Sequence, residues 1–95
     1  KRSIYLVFSM LTSKDLTAYL KNFSSLVTEM KCFKLRENFY ETKDIIKQAK
    51  DLGIHANANN SATEAIAQLA IQDPNGIIVV CGSFYSAGKV LEQNI

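Results

Sequence analysis

The run Ile77-Ile78-Val79-Val80-Cys81 restricts this chain more than any other stretch. Its apolar, β-branched residues do not alternate with polar ones, so a strand built from it must be covered on both faces. That is the pattern of a parallel sheet lying under helices. The run stops at Gly82-Ser83, and the residues that follow read as a last helix over about 83–93. A buried parallel strand that turns through Gly and Ser into a helix is where α/β proteins place ligands. Their crevices open outside the carboxyl ends of strands, where helix N-terminal N–H groups face anions.

The upstream chain reads as scaffold for that corner. Residues 3–11 (SIYLVFSML) form a first strand, and Thr12-Ser13-Lys14-Asp15 pairs a hydroxyl with an acid three positions on, as a capping box does. Leu16, Leu20, Phe23 and Val27 then share one helical face. A shorter strand follows over 30–35, with Lys31 and Lys34 placing it nearer the sheet edge, and 36–40 reads as a loop. Thr42 is the expected cap of a helix over 43–52, with Ile45, Ile46, Ala49 and Leu52 inward. Lys43, Lys47 and Lys50 form its solvated face, and Gly53 supplies the left-handed stop. The strand at 54–58 is diluted by Asn57, Asn59 and Asn60. Ser61-Ala62-Thr63-Glu64 is a second capping box, opening a helix to about 71 with Ile66 and Leu69 inward. Ala62, Ala65, Ala67 and Ala70 let that helix approach the sheet closely, and Asp73-Pro74-Asn75-Gly76 is a turn. Strand and helix thus alternate four times. The fold class is three-layer α/β, with a mainly parallel sheet of about four strands and helices on both faces.

Ninety-five residues make a single domain, 1–95. Eleven basic residues against nine acidic ones are spread along the chain, which leaves no basic stripe for nucleic acid. No apolar run reaches the roughly 18–20 residues that cross a bilayer. Cys32 and Cys81 stand alone inside predicted strands, as buried thiols of a reducing compartment do, so a cytoplasmic protein is expected. The chain opens on Lys1-Arg2-Ser3 rather than Met, which suggests a piece of a longer polypeptide.

Reactive chemistry is sparse. Between Gly82 and Gly88-Lys89 five residues intervene where a phosphate-binding loop has four, and Val90 stands where that loop needs a hydroxyl for magnesium. No Gly-x-Gly-x-x-Gly fingerprint is present, and no cluster of acids at strand ends marks a phosphorylated receiver domain. His55 has no Cys, Asp or Glu at ligand spacing, so neither a metal nor a catalytic role is assigned. Ser83 has two readings: a helix cap contributing about 1 kcal/mol, or a hydroxyl that with neighbouring N–H groups holds a carboxylate or phosphate. Tyr85 stands at the same rim, offering either its phenol or its ring as packing. Ser83 and Tyr85 are therefore the candidate substrate-binding residues. A stand-alone flavodoxin-like module for small anions and a purely structural or interaction domain are the rival readings.

Two stretches resemble a known family. Val7-Phe8-Ser9-Met10-Leu11-Thr12-Ser13-Lys14-Asp15 is similar to the "VFG-x-L-x-D-K-D" strand and helix entry of folylpolyglutamate synthase/dihydrofolate synthase. Val80-Cys81-Gly82-Ser83-Phe84-Tyr85-Ser86-Ala87-Gly88-Lys89-Val90-Leu91 resembles that family's "V-T-G-S-[LF]-Y-x-V-G-E-V-L". Ser9 for Gly, Cys81 for Thr, Ala87 for Val and Lys89 for Glu depart from the pattern. The resemblance implies a Rossmann-like carboxy-terminal domain of a Mur ligase, here without its first strand and first helix. It implies a parent enzyme in which ATP, with magnesium, phosphorylates a carboxylate of dihydropteroate or folate and the amine of L-glutamate displaces the phosphate. The family's phosphate-binding loop, magnesium ligands and modified lysine lie in a separate ATPase domain. Its Asp-Gly-Ala-His-Asn segment would precede Lys1. The implied fragment is inactive alone, takes the ATPase domain as its partner, and self-associates through an exposed sheet edge. In that family the serine and tyrosine matching Ser83 and Tyr85 lie near the incoming glutamate.

Overall fold

In the computed structural model, residues 2–83 and the main chain of 89–92 are described. The first strand, β1, runs from Ile4 to Ser9 and is followed by α1 (Leu16–Lys21), β2 (Glu29–Cys32), α2 (Thr42–Asp51), β3 (Ala56–Ala58), α3 (Ala62–Gln72), β4 (Ile77–Gly82) and β5 (Lys89–Glu92). The strand order is β3-β2-β1-β4-β5. The first four strands are mutually parallel, and β5 runs antiparallel to β4. This is the expected three-layer α/β architecture, with one strand more than expected.

The continuous apolar runs explain the layering. Alternate residues of β1 point to opposite faces, so Leu6, Phe8 and Met10 meet Leu16 and Leu20 of α1 and Ile45 and Ala49 of α2. Tyr5 and Val7 face the other way, joining Ile78 and Val80 of β4 against Ala65 and Leu69 of α3. Both sets are buried, which is why neither β1 nor β4 alternates in polarity. On α3, Ala62 and Ala65 face the sheet as expected, whereas Ala67 is exposed.

Several expectations are corrected. The helix over 83–93 is replaced, in its described part, by β5, in register from Ile77↔Glu92 to Val80↔Lys89. Without β5 the side of β4 away from β1 would carry unpaired N–H and C=O groups, and pairing satisfies them. Helix α1 ends at Lys21. Phe23 and Val27 still pack on the core, but from the turns that follow, so their spacing marked burial and not helix length. Its cap is Asp15, whose carboxylate accepts from Ala18 N at 3.1 Å, rather than Thr12. At α2 the cap position is Glu41, whose side chain makes no capping bond, and Thr42 is already helical. Ser61 does cap α3, accepting from Glu64 N at 3.1 Å, and Gly53 does take the left-handed stop at φ +77°.

Strand β2 lies between β1 and the edge strand β3, nearer the edge than β1 as expected, yet paired on both sides. Lys31 sits there only 7% exposed. Its charge is tolerated because Nζ donates to Asn57 Oδ1 at 2.8 Å and stands 3.6 Å from Glu29 Oε2. Asn57 Nδ2 and Gln72 Nε2 complete the set on Glu29, at 2.7 and 2.9 Å. The asparagine that weakened the β3 reading is therefore what lets a lysine lie buried in a strand paired on both sides.

Candidate functional site

The order of elements dictates where a ligand belongs. From β1 the chain moves through β2 to β3 on one side, then returns through α3 to place β4 on the other side of β1. The chain therefore diverges between β1 and β4, and the loops leaving the two strands part there. In open α/β sheets this reversal opens a crevice outside the carboxyl ends of the strands. Here those ends are Ser9 and Gly82, opposite each other in register.

Ser83 stands in that crevice, half-buried. Its main-chain N–H donates to the Ser9 carbonyl at 3.0 Å, and its Oγ accepts from Leu11 N at 2.9 Å. The hydroxyl is thus held by the segment after β1. One lone pair takes the Leu11 amide, and the hydroxyl keeps its own proton to donate. Gly82 makes this possible. At φ +121° it occupies a conformation that side chains rarely adopt, and a Cβ there would overlap the Ser9 carbonyl oxygen. Tyr85 lies outside the described residues.

The rest of the rim is tied to the same segment. Tyr40 N donates to Met10 O at 2.8 Å, Thr12 N to Asn38 O at 2.9 Å, and Leu11 bridges Phe39 in antiparallel fashion. The Tyr40 hydroxyl donates to Lys14 O at 2.8 Å, and the Arg36 guanidinium stands 6.0 Å from the centre of the Phe39 ring. Ser9, wholly buried, accepts from Leu35 N at 3.3 Å through its hydroxyl. Below the rim, the Tyr19 phenol of α1 interacts with the Cys81 thiol and the Gly82 main chain. Burial and the neighbouring thiol push its phenol up to about 12. Tyr19 is therefore a neutral prop under the corner, not an acid or base at neutral pH.

Two open clefts of about 330 Å³ flank the rim. One is framed by α1 and α2 through Asp15, Thr17, Tyr40, Asp44 and Lys47. The other lies between the end of β2 and the start of α3, through Phe33, Lys34, Asn60 and Ser61. Among the described residues no three His, Cys, Asp or Glu side chains come together as a metal site would need. No chemical step is assigned to the described residues through magnesium or a nucleotide. His55 is exposed. Cys32 and Cys81 are buried free thiols. Both pair with Phe8 from opposite sides, so they stand two strand spacings, about 9–10 Å, apart and beyond disulfide reach.

Residue reasoning singled out Ser83 but missed what holds it. Leu11 and Ser9 act through an amide, a carbonyl and a buried hydroxyl, and main-chain groups carry no signature in a sequence. Ser9 did carry one signal, a polar residue in a strand that must be buried on both faces.

Fold and crevice together define the class, a three-layer α/β domain with a mainly parallel sheet that opens at its strand-order reversal. A solved structure, folylpolyglutamate synthase of Mycobacterium tuberculosis complexed with ADP, superposes with a TM-score of 0.65 at 17% identity. The match covers 83% of this chain and 21% of that one, so the chain corresponds to about a fifth of the synthase. No protein-family model and no curated protein sequence matches the chain. Among the described residues no helix is long and apolar enough to cross a membrane.

Proposed function

We propose that this chain is the carboxy-terminal domain of an ATP-dependent amide ligase that adds L-glutamate to dihydropteroate, folate or both. What supports the reading is the position of Ser83, at the strand-order reversal of a domain whose fold is shared with a folylpolyglutamate synthase. In the proposed reaction a substrate carboxylate oxygen attacks the γ-phosphorus of ATP and ADP leaves. The glutamate amine then attacks the acyl carbon, the amide forms, and phosphate departs with the former carboxylate oxygen. ATP and magnesium are handled by a partner ATPase domain carrying the phosphate loop.

This chain would supply the wall on the amino-acid side. With one lone pair engaged by Leu11, the Ser83 hydroxyl directs its proton toward a glutamate carboxylate, and Tyr85 is proposed as its neighbour at the rim. Positioning of this kind raises the rate by holding the amine near the acyl carbon, without any acid or base from the chain. Cytoplasmic placement belongs to the same proposal. So does self-association through the open edge of β3, which the partner domain would otherwise control.

The test is ADP release coupled to glutamate. The chain expressed with the coding region upstream of Lys1 should release ADP only when magnesium, glutamate and a pteroate or folate are all present. Ser83→Ala should raise the KM for glutamate more than that for ATP. Ligase turnover by the isolated 95-residue chain, or ADP release indifferent to glutamate, would refute the proposal.

A further inference from the structure

Ser9 is the point at which two walls of the crevice are joined. Its carbonyl accepts the Ser83 N–H at 3.0 Å, and its side-chain oxygen accepts the Leu35 N–H at 3.3 Å. Leu35 opens the segment that returns along β1 through the Leu11–Phe39 bridge and the bond from Tyr40 N to Met10 O. The bond from Ser83 is the last of the parallel ladder that pairs Ser9 with Gly82, whereas the bond from Leu35 lies beyond the ladder, which ends at Cys32 on that side. The residue is wholly buried, so water cannot take the place of either partner. Its hydroxyl also lies in an otherwise apolar run, Tyr5 to Met10, where a hydroxyl serving no partner would be costly.

We infer that Ser9 is a positioning residue, whose hydroxyl couples the 35–40 segment to Ser83 and so sets the width of the crevice mouth. The inference rests on the ligase reading only for what the mouth holds. The mechanical link stands on these bonds alone. An anchored Leu35 fixes the Ser9 peptide plane, that plane aims the carbonyl at Ser83, and Ser83 in turn receives the Leu11 amide.

Amide hydrogen exchange and chemical shifts of the 95-residue chain test this. In the unsubstituted chain the Leu35 amide should be protected although it lies outside every strand. In Ser9→Ala it should exchange on the order of tenfold faster, as the loss of one hydrogen bond implies. The Ser83 and Leu11 amide protons should shift upfield together as their bonds lengthen, while the Leu6 amide in mid-strand exchanges at its former rate. An effect confined to Leu35, or an equal acceleration at Leu6, would reduce Ser9 to a packing or stability residue and overturn the inference. Should Ser9→Ala fail to fold, an unprotected Leu35 amide in the unsubstituted chain refutes it directly. None of these readouts involves glutamate, so they fail or hold independently of the ligase assay.

Discussion

Replacing Gly82 by alanine tests the corner most severely. The residue holds φ +121°, and forcing a side chain into that conformation costs about 1–3 kcal/mol. The new Cβ would also overlap the Ser9 carbonyl oxygen, standing 3.0 Å from the carbonyl carbon and 3.2 Å from the Ser9 nitrogen. These are backbone atoms of a central strand, so the ends of β1 and β4 must separate. Separation breaks the bond from Ser83 N to Ser9 O and strands a buried carbonyl, for about 1–3 kcal/mol more. The sum is about 2–6 kcal/mol, a large part of the roughly 5–15 kcal/mol of a typical domain. With a urea dependence of about 2 kcal/mol per molar, the unfolding midpoint should fall by roughly 1–3 M, read by circular dichroism. Gly53→Ala is the internal control. Its φ is +77° with nothing within 4 Å of the added carbon, so it should lose only about 1 kcal/mol. Equal midpoints for the two variants would refute the close approach of Ser9 and Gly82.

Three further outcomes are expected. Burial raises the Glu29 carboxyl, but bonds from Asn57 and Gln72 and the Lys31 charge outweigh it and hold the group below its ordinary 4.5. Its contribution to stability is therefore complete above about 4.5 and is lost as pH falls through the lower folded value. Glu29→Gln should lower Tm at about pH 7 and flatten its decline from about pH 5 to about pH 3, across its ordinary 4.5, and an unchanged slope would contradict the assignment. Lys31→Met should destabilise by about 1–3 kcal/mol at neutral pH, because it leaves the Asn57 acceptor and the Glu29 charge short of a partner. The double variant with Glu29→Gln should recover part of that loss, and strict additivity in a denaturation cycle would count against coupling. Burial pushes the Cys32 and Cys81 thiols up to about 12 and about 11, so both should resist alkylation until the chain unfolds. Labelling of either at the rate of a free thiol in native buffer would show that the core is more open than this.

Much of the layering was legible because burial on two faces leaves a mark that burial on one does not. The unbroken apolar runs of β1 and β4 announced central parallel strands, and Ile45, Ala49 and Leu69 fell on inner helix faces as their spacing required. Ser61 and Gly53 announced the start of α3 and the stop after α2, since capping and left-handed geometry depend on the residue itself. Elsewhere local patterns misled. Phe23 and Val27 kept helical spacing without a helix, and nothing in the local pattern marked Lys31 as buried, because the side chain that accepts its hydrogen bond is distant in sequence. Lys31 finds Asn57 across 26 positions, a pairing that only strand register brings about.

The sequence by itself determined the α/β class, the strands that must be central, and the Gly-Ser corner as the place where the last parallel strand ends. Periodicity, apolar runs and glycine geometry are properties of neighbours along the chain, and neighbours suffice to state them. Tertiary structure alone decided that β5 closes the edge of β4, that a lysine lies buried in β2, and that Ser83 is held by Leu11 and Ser9. Each of these rests on hydrogen bonds or an ion pair between segments whose partners meet only once the sheet is ordered. The unpaired polar group is what each of them avoids, and that cost exists only after water has been excluded.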